Sequence, residues 1–132
     1  MDLKKISCAL LASKVAVDLN AAADTETAFF TVPTGKKCII HKVIPHGLSA
    51  SAGNAVITLG KTGGSCDEFL GNQTLSNLNG ATKTAILQPV PNSTPVAQTI
   101  LNAGESFGSE ISTPAGSACT CTMDVFGHLY DE

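Results

Sequence analysis

Ala118-Cys-Thr-Cys-Thr-Met-Asp-Val-Phe-Gly-His-Leu-Tyr130 alternates between two kinds of side chain along its whole length. Cys119, Cys121, Met123, Val125, Gly127 and Leu129 fall on one side of an extended chain. Thr120, Thr122, Asp124, Phe126, His128 and Tyr130 fall on the other. Successive side chains of a strand point to opposite faces, so this period of two predicts a long β-strand with one face in a core. A helix would scatter the same residues around its axis. The second face is polar enough for solvent, and Phe126 and Tyr130 stand out on it as candidates for a subunit contact.

Working outward, the rest of the chain shows the same habit in shorter pieces. Segments rich in Val, Ile, Thr and Phe recur between Gly, Pro, Asn and Ser, which is the rhythm of a sandwich or barrel. Strands are expected over residues 15–19, 27–32, 37–45, 54–61, 83–88, 96–101, 105–111 and 118–130, with short connections favouring antiparallel neighbours. Pro33-Thr-Gly35, Gly63-Gly64, Asn102-Ala-Gly104 and Thr113-Pro-Ala-Gly116 supply turns, and residues 71–80 read as a longer loop. Pro89, Pro91 and Pro95 lack the N–H that a central ladder needs. A helical stripe through Leu3, Ile6, Leu10, Lys14 and Val17 competes with an extended reading of the N-terminus. An extended arm over 1–14, leading into a single sandwich domain over 15–132, is preferred. The expected fold is therefore all-β: an antiparallel β-sandwich, jelly-roll-like, with an N-terminal arm.

Composition narrows the function. Hydrophobic residues make up 43% of the 132 residues and charged residues only 14%, so the chain folds and has less charge than an ordinary soluble surface carries. Such a surface points to assembly. All eight basic residues are lysines and the net charge is -3, the opposite of a basic, arginine-bearing nucleic-acid binder. Five cysteines are too few and too widely spaced for a disulfide scaffold, and reduced thiols are expected. The apolar run after Lys4 and Lys5 is short and meets Lys14 without a clean cleavage site, so it reads as neither a secretion signal nor a membrane span. A cytoplasmic site of folding follows.

Three stretches imitate chemistry. Ala55-Val-Ile-Thr-Leu-Gly-Lys-Thr62 fits a loosened phosphate-loop pattern, but its interior is a strand former and Gly63-Gly64-Ser65 cannot start the helix that holds a phosphate. Cys119 and Cys121, with Cys38 and His41, suggest zinc. Alternate residues of a strand stand nearly 7 Å apart, however, and thiolates on one zinc approach to about 4 Å. Small core hydrophobes is the better reading. His41, His46 and His128 are the only histidine bases, and neither a nucleophile elbow nor paired carboxylates accompany them. No catalytic residue, cofactor or metal is expected, and the absence of Trp argues against a sugar platform.

The stretches from Thr31 to Ile44, from Ser49 to Gly60, from Leu101 to Gly108, and from Ala118 to Leu129 with its Val125-Phe-Gly-His-Leu129 ending together resemble small virion proteins of tailed bacteriophages. The likeness spans about half the chain. It implies a capsid decoration or cement protein of the virion, a homo-oligomer with a trimer favoured, its partner the major capsid protein at capsomer junctions. Leu3, Ile6, Leu10, Leu11, Phe126 and Tyr130 would form the capsid or subunit interface. The alternative it implies is a tail or head-fibre module that binds a host surface through loops 67–80 and 89–95.

Overall fold

A computed structural model describes residues 8–90 and 92–132. They form two four-stranded antiparallel sheets packed face to face, a β-sandwich as the alternation predicts. The strands are β1 (Ala9–Asp18), β2 (Glu26–Thr31), β3 (Lys36–His46), β4 (Val56–Lys61), β5 (Leu70–Thr74), β6 (Leu101–Asn102), β7 (Ser106–Thr113) and β8 (Thr120–Asp131). The first sheet has the order β1-β8-β3-β6 and the second β2-β7-β4-β5. The chain thus ladders its first strand to its last, its second to its seventh, its third to its sixth and its fourth to its fifth.

The core follows from period two. Cys119, Cys121, Met123 and Val125 of the C-terminal stretch are fully enclosed, facing Ile57, Leu59, Phe107 and Ile111 of the opposite sheet. Phe107 is the largest buried side chain and takes edge-on contacts from Phe29 and Phe69, with ring centroids 6.4 and 5.5 Å away. Two glycines let strands approach. A Cβ at Gly108 would collide with the Thr27 carbonyl oxygen, and one at Gly127 with the Ile39 carbonyl oxygen. Both positions face a neighbouring strand, so the requirement is space and not backbone freedom.

The expected elements hold with four differences. The strand expected over 15–19 starts at Ala9, so residues 9–14 of the expected arm are laddered to β8, from Ala9 opposite Gly127 to Lys14 opposite Met123. Residues 1–7 of that arm lie outside the described residues. Residues 83–88 form no strand. Leu87 alone exchanges two backbone bonds with Val43, at 3.0 and 2.8 Å, and Pro89 follows before a ladder can extend. The strand expected over 96–101 shrinks to Leu101–Asn102, and residues 92–100 are exposed throughout. Finally, the loop expected over 71–80 contains most of β5, a polar edge strand whose Gly71, Asn72 and Gln73 hide it from a reading based on apolar alternation.

Candidate interaction surface

The outer face of the first sheet is set by the register of β8. Residues directly opposite one another on neighbouring strands share a face. Phe126 lies between Leu10 of β1 and Lys42 of β3, Asp124 between Ser13 and Ile44, His128 beside Ile39, and Tyr130 beside Lys37. The Lys42 ammonium sits over the Phe126 ring, 5.2 Å from its centroid, and the His128 and Tyr130 rings meet edge to face at 5.4 Å. The face is therefore a half-buried mixture of aromatic, aliphatic and basic side chains. A register shift between Ile40 and Lys42 pushes His41 out of the ladder. Burial first, then the His128 and Lys42 charges, lower the His41 pKa from its ordinary value.

Of the six residues expected at an interface, Leu10, Phe126 and Tyr130 occupy this face. Leu10 and Phe126 are direct cross-strand neighbours, and Leu10 is 55% exposed. Leu11 is displaced by a bulge between Leu10 and Ala12 and packs, half-buried, against the core beside Gly127. Its neighbourhood is the inside of the sandwich. Leu3 and Ile6 lie outside the described residues.

Asp124 gathers the one polar trio on this face. It accepts a hydrogen bond from the Ser13 hydroxyl at 2.5 Å and pairs with His46 Nε2 at 2.8 Å, one carboxylate oxygen to each. Serine, histidine and aspartate are all present, yet the carboxylate stands between the other two. A relay needs the imidazole between nucleophile and carboxylate, so this arrangement fastens β1, β8 and β3 together and does not activate Ser13. His128, which the sequence places on the same face as Asp124, keeps company with Tyr130 instead.

Four of the five thiols are buried, and Cys8 is exposed. Burial pushes Cys38 up to about 11 and Cys121 up to about 12, and it raises Cys119, whose Sγ lies 3.4 Å from the Ala50 carbonyl oxygen. Among the described residues no group of three or more His, Cys, Asp or Glu side chains is placed to hold a metal ion. Residues 56–61, the middle of the phosphate-loop lookalike, are strand β4.

The loop expected over 89–95 extends on both sides into a longer strap, because no strand forms over 83–88 or 96–100. Over residues 86–90 and 92–100 the strap leaves Ile86, Val90, Val96 and Ile100 exposed, Val90 to 75%, while Leu87 is buried. Beside it a groove of about 300 Å³ is lined by His41, Gln88, Pro89, Pro95, Val96 and Gln98. The prolines that mark 89–95 as a loop also keep the apolar residues around them out of a sheet and leave their side chains outside. The second sheet differs in character. Glu26 and Glu110 lie directly opposite across β2 and β7, and Thr58 of β4 is next in the same row. The 62–69 loop packs here, burying Cys66, whose pKa rises to about 12 through burial and then the charges of Glu26, Glu110 and Glu68. No protein-family model, curated protein or solved structure matches the chain.

Proposed function

We propose that the chain is a structural protein of a tailed-bacteriophage virion, a decoration or cement protein that binds the major capsid protein at capsomer junctions and works as a homotrimer. One observation carries this reading. Six large apolar side chains stand exposed on a domain with a complete core: Leu10 and Val15 on the edge strand β1, and Ile86, Val90, Val96 and Ile100 on the strap. A strand edge and an apolar strap suit docking against another protein, where each such side chain buried contributes about 1.5–3 kcal/mol before ordering costs. Contacts of that size become secure when several copies act together on one shell. The pairing of first strand with last, second with seventh, third with sixth and fourth with fifth supports reading the sandwich as a jelly roll, an architecture frequent in viral capsid proteins.

A second reading is favoured by the groove beside His41. A tail or head-fibre module would use the strap and that groove on a host surface.

Co-sedimentation separates the two. Saturable binding to undecorated heads, lost in Val90→Asp/Val96→Asp and accompanied by a raised disruption temperature of the head, is the expected result. Binding to host cells and not to heads replaces the first reading with the second; binding to neither removes both. A chain lacking residues 1–7 tests the N-terminal contribution without cutting into β1.

A further inference from the structure

The two outer faces of the sandwich carry opposite charge. On the first sheet Lys37 and Lys42 flank the aromatic residues, and the charges of His128 and Lys42 are both felt at His41. The carboxylate of Asp124 is taken up by Ser13 and His46, and Lys36 pairs with Asp131 at the end of the sheet. On the second sheet Glu26 and Glu110 face each other across the ladder beside the 62–69 loop; the Glu26 carboxylate accepts from the Gly63 N–H at 3.2 Å, and Glu68 of that loop accepts from the Lys61 N–H at 2.8 Å, so each keeps its negative charge while tied to backbone. Lys61, the only lysine on those four strands, is paired with Glu105 at 2.5 Å. Like charges directly opposite on a ladder destabilise it. A sequence with so few charges has nonetheless placed like charges together on each face.

We infer that copies of this chain associate head to tail, the lysine and aromatic face around Lys37, Lys42, Phe126 and Tyr130 of one copy against the Glu26 and Glu110 face of the next. The occupant is a second copy because the complementary surface is on the same molecule. Phe126, Tyr130 and Leu10 supply apolar area, and the charges set orientation and encounter rate. The contact is heterologous: each copy uses two different surfaces, so a series closes into a ring if the rotation between copies allows and otherwise continues as a stack. It stands apart from the virion assignment and is tested without any head.

Sedimentation velocity of the full chain over a range of concentrations provides the test. The wild-type protein is expected to associate at low ionic strength and to dissociate as salt shortens the Debye length from about 30 Å at 0.01 M to about 3 Å at 1 M. Lys37→Glu/Lys42→Glu and Glu26→Lys/Glu110→Lys should each weaken association about tenfold or more. Mixed in equal amounts they should reassemble, since each then offers the face the other has lost. A wild-type protein that stays monomeric, association indifferent to salt, or folded variants that fail to rescue each other overturns the inference. Melting curves establish that the variants fold, and the wild-type salt series stands without them. A contact of one face with its own copy is distinguished by the glutamate-face variant assembling alone.

Discussion

At the residue scale the chain holds one plain defect. Thr58 is only 8% exposed, and its hydroxyl oxygen has no hydrogen-bond partner among the described residues. An unsatisfied buried hydroxyl costs about 1–3 kcal/mol, whereas an apolar group of the same shape costs nothing. Thr58→Val keeps the β-branched form that suits a strand and removes the orphan. It should raise stability by about 1 kcal/mol, seen as a higher urea midpoint with an unchanged slope. An equal or lower midpoint would mean that the hydroxyl has a partner in solution, such as an ordered water. Nothing in the sequence announced this residue, because Thr58 reads as an ordinary strand threonine until the row beside Glu110 is known. The cysteines are the contrary case. Cys119 and Cys121 alternate with threonines, and that alternation alone placed them in the core, where the structure has them.

At the element scale the legible strands are the ones that bury a face. β3 and β8 alternate over ten or more residues and pair with each other along nearly their whole length. β5 and the strap were misread for one reason seen from both sides. β5 is held by backbone bonds at an edge and needs no apolar pattern, while residues 83–88 and 96–101 have the pattern but are barred by prolines from joining a ladder. The β3–β8 ladder also contributes to the response to alkali. Cys38 and Cys121 have folded pKa values raised to about 11 and about 12 from an ordinary 9.0. A raised value means the folded state holds its proton longer, so the stability is whole below pH 9 and is lost as pH rises through 11 to 12. Each thiol adds at most about 1.4 kcal/mol per pH unit to that loss. Urea denaturation should show stability falling between pH 8.5 and 10.5, and falling less steeply in Cys38→Ala/Cys121→Ala, whatever that variant's stability at pH 7.5. An equal slope in the two proteins would assign the alkaline loss to other groups, the buried Cys66 and Cys119 and the lysines.

At the scale of the whole molecule the pairing of first strand with last decides what is fixed and what is free. Ser13 and Asp124 are hydrogen-bonded across 111 positions of sequence, so the two ends of the domain lie side by side on the first sheet while its middle is spent on connections. Connectivity of this kind is not written in any local pattern, since period two says which residues face inward but not which strand lies next to which. The strap is the long connection that this wiring leaves over. Its residues 92–100 are exposed, and among the described residues the one side-chain hydrogen bond there is local, the Thr94 N–H donating to Asn92 Oδ1 at 2.9 Å. Adjacent ends and an exposed connection are the conditions under which a chain tolerates circular permutation. A permutant with the old termini joined by a short flexible linker and new ends between Ser93 and Thr94 should therefore keep the sandwich, with a single cooperative transition close to that of the parent. The strap is then cut in two, and Val90 and Val96 come to lie on separate ends. If the strap docks as one ordered unit, the permutant folds yet loses its binding to heads. A permutant that folds and binds as well as the parent would show that those apolar residues act singly, and one that fails to fold would make the strap part of the structure it was thought only to decorate.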